Sequence, residues 1–227
     1  MTPVDITVVE DAPEAARIVA ERLVEQARAG GHLVLTGGST PRLAYELAAD
    51  LEPDWSRVEV WWGDERCVPP EDERSNYLLT EQALLDRLDR QPLATHRMRG
   101  ELGPDAGAEE YEEELDGVGV FDLVLVGLGP DGHVASLFPG FPALEIADRD
   151  AVGSAAGHEP FVDRITLTFP RLCSTSELVF LVTGEDKADA VARALAGEPS
   201  RETPGSLARA TEGPTRAVLD RAAAAKL

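Results

Sequence analysis

The sequence predicts an α/β protein with a mostly parallel sheet and helices on both faces. Three observations carry this reading. Apolar runs of strand length alternate with segments of helical periodicity along most of the 227 residues. Those runs stop abruptly at glycine-rich turns. The βα order repeats, which implies right-handed crossovers over one continuous sheet. No internal repeat is seen.

Asp5 to Glu10 reads as the first strand, and Ala15, Ile18, Val19, Leu23 and Ala27 then fall at helical spacing until Gly30 and Gly31. His32 to Thr36 is a buried strand, Gly37 to Pro41 a turn, and Leu43, Ala44, Leu47 and Leu51 mark the next helix. Val58 to Trp62 is the third strand, and the helix after it carries Leu78, Leu79, Leu84, Leu85 and Leu88. Pro104 to Leu115 is expected to be an acidic, solvated helix. The apolar run from Phe121 to Val126 is cut by Gly127, Gly129, Pro130 and Gly132, leaving space for only a short helix before Pro139. Arg164 to Phe169 and Leu178 to Thr183 read as strands, Asp186 to Ala196 as a helix, and Thr215 to Leu219 as a last strand. The length suits a single domain over 1–227, in which the weakly patterned stretch 139–163 forms a small subdomain or a loop covering the site.

Forty-two acidic residues against twenty-one basic ones give a net charge of -21, which argues against nucleic acid or an anionic membrane as partner. No apolar stretch is long enough to cross a bilayer, and the first twenty residues lack both a basic flank and a signal-peptide core. A cytoplasmic protein without an obligate protein partner is expected. Cys67 and Cys173 have no metal-ligand spacing, so reduced thiols are the default. Against so acidic a background, a phosphorylated substrate needs a local cluster of Arg, Lys or backbone amides. His32 opens a strand and reads as structural; His96 and His158 have no setting that suggests chemistry.

The turn after Val126 places Asp131 and His133 just beyond a strand end, where ligands bind in open α/β sheets. Gly127, Gly129 and Gly132 also satisfy G-x-G-x-x-G, but Asp131 would oppose a pyrophosphate and Pro139, Gly140 and Pro142 deny the motif its crossover helix. A second strand-end loop, TGGSTPRL, offers Gly37 and Gly38 for close backbone approach, hydroxyls of Ser39 and Thr40, and Pro41 to start a helix whose positive end suits an anion. The same letters also fit an ordinary capped turn. In a third loop, Asp64, Glu65 and Arg66 follow the apolar strand directly; Asp64 and Arg66 either pair with one another or leave Arg66 to hold an anion. Lys187 in the first turn of a helix opposes the helix dipole, so it serves either an anion or a pair with Glu185 or Asp189.

Together TGGSTPRLAYELAA, VWWGDERCVPPEDERSNY, FDLVLVGLGPDGHVASLFPG and RITLTFPRLCSTSELVFLVTGEDKADAV resemble, in order, the signature segments of the 6-phosphogluconolactonase family. The resemblance covers nearly the whole chain. It implies the modified Rossmann-like fold of the sugar-phosphate deaminase and lactonase type, no metal and no organic cofactor, and hydrolysis of 6-phospho-D-glucono-1,5-lactone in the pentose phosphate pathway. The related deaminases usually carry a glutamate five residues after the histidine; Phe138 stands there and cannot exchange a proton.

On this reading His133 is the base that activates water and the acid that returns the proton, with Asp131 orienting it or stabilising its cation. Arg66 or backbone amides at Gly129 and Gly132 face the oxyanion. Asp64 stands at the rim, contacting sugar hydroxyls or fixing Arg66. The 6-phosphate is expected among Gly37, Gly38, Ser39, Thr40, Arg42, Arg164 and Lys187. No G-x-S-x-G elbow occurs, and Ser136 is expected in the helical turn after His133, so direct attack by water is favoured over a covalent serine. A non-catalytic sugar-phosphate-binding module is the alternative from another class. A helix-turn-helix is not expected, because the strand pattern starts near Asp5.

Overall fold

Side chains alternate between the two faces of a strand, so a strand apolar at every position must be covered on both sides. The computed structural model, which describes residues 3–52 and 54–227, meets that demand with layers on both faces of one sheet. Positions 1, 2 and 53 lie outside the described residues, and with them the start of the segment read above for a leader.

The elements run β1 (Val4–Val9), α1 (Ala12–Ala29), β2 (Gly31–Leu35), α2 (Ser39–Leu51), β3 (Val58–Trp62), β4 (Asp64–Arg66), α3 (Asn76–Ala83) and β5 (Ala94–His96). Then come α4 (Pro104–Leu115), β6 (Leu123–Val126), β7 (Ala151–Ser154), β8 (Arg164–Leu167), α5 (Phe169–Cys173), β9 (Leu178–Val182), α6 (Ala188–Val191) and β10 (Thr215–Asp220). A seven-stranded parallel sheet has the order β1-β10-β9-β6-β2-β3-β5. From β2 the chain steps outward through β3 to β5, then returns to the other side of β2 and continues through β6, β9 and β10. The direction therefore reverses between β2 and β6. Ligand crevices form at such a reversal, beyond the carboxyl ends of the strands.

Leu33, Leu35, Val60, Trp62, Leu123 and Leu125 face one core with α1 and α2, while Val34, Trp61, Val124 and Val126 face the other. Helix α1 starts where the Asp11 carboxylate accepts the Glu14 N–H and Glu14 in turn accepts the Glu10 N–H, each at 3.0 Å, which satisfies two otherwise orphaned donors.

Four expectations change. Arg164 to Phe169 is not a strand of the main sheet: Arg164–Leu167 is the centre of a second, three-stranded antiparallel sheet, β4-β8-β7, and Phe169 already belongs to α5. No helix follows the turn at 127–133, because Ala135 takes a left-handed φ of +48° and Val134 bridges back to Leu137. Helix α4 is not simply solvated; Gly107, Ala108, Tyr111 and Leu115 bury one face against the second sheet. The stretch expected as one helix from Asp186 is a 3-10 turn at Glu185–Lys187, then α6, then a π-helical turn at Ala192–Ala196.

Candidate active site

The loops after β2, β3, β6 and β9, four adjacent strands, meet around a cavity of about 460 Å³. From β2 come Thr36 to Pro41, and from β3 Asp64 and Arg66. Gly127 to Pro130, His133 and Ala135 follow β6; Thr183, Asp186 and Lys187 follow β9. The Thr40 and Thr183 hydroxyls, 2.7 Å apart, tie the first of these loops to the last.

Within the β6 loop, His133 Nδ1 lies 2.6 Å from Asp131 Oδ1, which also accepts the His133 backbone N–H at 3.0 Å. Burial pushes the Asp131 carboxyl upward, but these hydrogen bonds and the facing imidazole outweigh it and hold the group at about 2. Asp131 is therefore an anion and accepts a proton-bearing Nδ1, which leaves Nε2 as the basic nitrogen of neutral His133. Gly129 permits the close turn: a Cβ there would sit 2.1 Å from the His133 ring. The ring also packs on Phe138, at 4.6 Å between centroids.

In the β3 loop, Asp64 and Arg66 do not pair. Buried Asp64 accepts from Ser136 Oγ at 2.6 Å and Asn76 Nδ2 at 3.2 Å, while Arg66 Nη1 donates to the Arg74 carbonyl at 2.5 Å and its buried Nε has no partner among the described residues. Glu65 is a structural group: its carboxylate accepts from the N–H groups of Arg66, Asn76 and Tyr77 and from Ser75 Oγ, so β4 is fastened to the start of α3. Burial pushes its carboxyl up, against those four hydrogen bonds. This fastening brings Asn76 to the cavity wall, close enough to Gly37 that a Cβ there would meet Asn76 Oδ1 at 1.9 Å.

The structure thus gathers Gly37, Gly38, Ser39, Thr40, Asp64, Arg66, Gly129, His133 and Lys187 around one space, with Asp131 behind His133. Three expected residues stand elsewhere. Arg42 points along the outside of α2 to Glu46, one turn on, at 3.2 Å. Arg164 is buried and donates to the His158 and Pro160 carbonyls at 3.1 and 2.7 Å. Gly132 packs on Thr203, and its carbonyl accepts the Gly205 N–H at 2.8 Å. Lys187 lies within 3.3 Å of Asp186, which is neither of the partners its sequence position suggested.

Residues not anticipated at the wall are Asn76, Thr183, Asp186, Glu159 and His158. His158, set aside in the sequence reading, has its ring centroid 5.9 Å from that of His133. Asn76 had a local signal as the first residue of a helix opened by a Ser75 cap, and His158 and Glu159 lie in the weakly patterned stretch 139–163.

Among the described residues no group of three or more His, Cys, Asp and Glu is placed to hold a metal ion, and no helix is long and apolar enough to cross a membrane.

Fold and site define an α/β protein with a carboxylate-bound histidine in a cavity at the reversal of a parallel sheet. The chain belongs to the family of glucosamine-6-phosphate isomerases and 6-phosphogluconolactonase, whose model matches residues 9–217. It is 39% identical to 6-phosphogluconolactonase of Streptomyces coelicolor, over 94% of this chain and 88% of that one. A solved 6-phosphogluconolactonase structure from Thermotoga maritima superposes with a TM-score of 0.81 at 30% identity, covering 95% of this chain and 99% of that one. A solved monomeric glucosamine-6-phosphate deaminase shares the fold, with a TM-score of 0.86 over 99% of this chain and all 100% of the other, at 19% identity.

Proposed function

We propose that the protein hydrolyses 6-phospho-D-glucono-1,5-lactone to 6-phospho-D-gluconate, the second step of the oxidative pentose phosphate pathway. The observation that carries this is the Asp131–His133 pair at the cavity, with Nδ1 committed to the carboxylate. Neutral His133 takes a proton from water through Nε2 as the water oxygen bonds to the lactone carbonyl carbon. The carbonyl π pair moves to oxygen, and Arg66 stabilises the resulting oxyanion; the expected Gly129 and Gly132 N–H groups are instead taken up within the turn, by the His133 and Gly129 carbonyls at 2.9 Å each. On collapse the bond from that carbon to the ring oxygen breaks, and the imidazolium returns its proton to the departing oxygen. Anionic Asp131 favours the imidazolium between these two steps.

The 6-phosphate is placed against the N-terminus of α2, where Gly38, Ser39 and Thr40 present backbone amides, and against Lys187. Gly37 lets the backbone approach. These groups form the local basic patch that a chain of net charge -21 needs. Segment 139–163 of a single domain covers the site with His158 and Glu159. A cytoplasmic location belongs to the same reading.

Deamination is the second reading because the fold is common to both activities. Phe138 speaks against it: a buried phenyl ring in contact with His133 offers no exchangeable proton. Lactone hydrolysis measured against the spontaneous background, beside ammonia release from glucosamine 6-phosphate, separates the two. Accelerated hydrolysis without ammonia is expected; ammonia without acceleration overturns the proposal.

A further inference from the structure

Arg164 presents an unusual arrangement of charge. It is 2% exposed, it stands opposite Arg66 in the β4–β8 register, and burial followed by the charge of Arg66 pushes its pKa down against the opposing charges of Asp64 and Glu65. Among the described residues it makes no ion pair within 4.0 Å, and its Nε has no partner. A buried guanidinium without a carboxylate partner is costly to fold. Its side-chain hydrogen bonds go to two backbone carbonyls, those of His158 and Pro160. The cation therefore fixes one short loop.

That loop is fixed from a second side by the residue that supports the catalytic ring. A Cβ at Gly157 would meet Phe138 Cγ at 2.5 Å, so the backbone before His158 lies directly on the phenyl ring that His133 also touches. His158 is then set at the cavity wall with its ring near that of His133. Its Nδ1 is 3.1 Å from the Glu159 carbonyl. A carbonyl only accepts, so Nδ1 carries the proton and Nε2 is the free nitrogen.

We propose that His158 is a specificity-determining residue whose Nε2 accepts a hydrogen bond from a hydroxyl of the sugar lactone, and that Arg164 is its positioning residue. This rests on the proposed lactonase reading for the identity of the ligand. Recognition, rather than proton transfer, follows from the partners. His133 has a carboxylate behind it to support an imidazolium, whereas His158 has a neutral carbonyl. His158 therefore serves as an acceptor.

The test uses the full chain, with 6-phosphogluconate as an equilibrium-binding probe and the lactone as substrate. His158→Asn keeps a donor for the Glu159 carbonyl but places nothing at Nε2; His158→Gln extends to the Nε2 position. Expected for His158→Asn are a KM and a dissociation constant raised roughly three- to tenfold, the range of one neutral hydrogen bond, with kcat within about twofold and the pH–rate profile unchanged. His158→Gln recovers part of the loss. Arg164→Lys, whose shorter side chain ends short of the Nη2 position from which both carbonyls accept, reproduces the His158→Asn loss and adds nothing to it in the double variant. Unchanged binding in His158→Asn overturns the proposal, as does a collapse of kcat with a lost limb of the pH profile. Additive losses overturn the role of Arg164. A wild-type chain that hydrolyses no lactone, but loses product affinity on His158→Asn, rejects the lactonase reading and keeps this one.

Discussion

Asp131 binds His133 twice, accepting from the ring Nδ1 at 2.6 Å and from the backbone N–H at 3.0 Å. The two bonds fix both the tautomer and the direction of the ring, and in the proposed mechanism Asp131 works through His133. His133→Ala is expected to lower kcat by about 10²- to 10⁴-fold, the contribution of one positioned acid–base group. Asp131→Asn lowers it in the same direction by no more than that. Steady-state kinetics on both variants check the order; an Asp131→Asn loss exceeding that of His133→Ala contradicts it.

The same contact makes a prediction about stability. The folded-state pKa of Asp131 is depressed from 3.8 to about 2, so its contribution is complete above the unfolded value and is lost as pH falls through about 2. Denaturant midpoints of the wild type should fall over that window beyond any general acid effect. Asp131→Asn should flatten this part of the profile, and parallel profiles for the two proteins would exclude the linkage.

How much of this was legible depends on the distance over which each contact acts. The strands, the glycine-rich turns and the Asp131–His133 pair are local patterns. Arg42 was readable too: Glu46 lies four residues on, the spacing of a helix-surface pair, and that pairing takes it away from the cavity. The Ser136–Asp64 bond joins residues 72 apart and depends on Ala135 at a positive φ, which no periodicity announces. Arg164 was expected at the phosphate on the strength of the resemblance. The antiparallel pairing of β8 with β4 and β7 turned it inward, and that pairing has no signature within either segment.

Arg42 and Lys187 therefore make a matched pair of variants. Lys187→Ala removes a cation at the cavity wall, and a hydrogen bond to a charged group is worth about 1.5–3 kcal/mol, so KM should rise about 10- to 100-fold. Arg42→Ala removes only an exposed i,i+4 pair worth about 0.3–0.5 kcal/mol, and KM should stay unchanged. Measuring both at two ionic strengths is decisive, since the Lys187 effect alone should shrink with salt. An Arg42→Ala effect of the Lys187 size would return Arg42 to the phosphate site.

Gly129→Ala tests how closely the catalytic ring is held. The new Cβ would lie 2.1 Å from His133 Nδ1 and Cε1 and 2.8 Å from Asp131 Oδ1, so the ring or the turn must shift. A displacement of about 1 Å at a reacting group can cost about 10²-fold in rate. Such a loss is expected. Gly119→Ala, where a Cβ meets nothing within 4 Å, is the control. Equal kinetics for the two variants would show that the site tolerates the crowding.

Ser136 separates a structural hydroxyl from a nucleophile. It is 1% exposed, and its Oγ is 2.6 Å from Asp64 Oδ2, so its proton is directed at a buried carboxylate. Removing the hydroxyl leaves that carboxylate short of a donor, which costs about 1–3 kcal/mol. Ser136→Ala should lower the urea midpoint accordingly without altering the slope of the transition. Hydrolysis should continue at a reduced rate, because water and not Ser136 attacks the lactone. Pre-steady-state kinetics completes the test. A product burst in the wild type, lost together with all turnover in Ser136→Ala, would assign a covalent serine step and displace His133 as the activator of water.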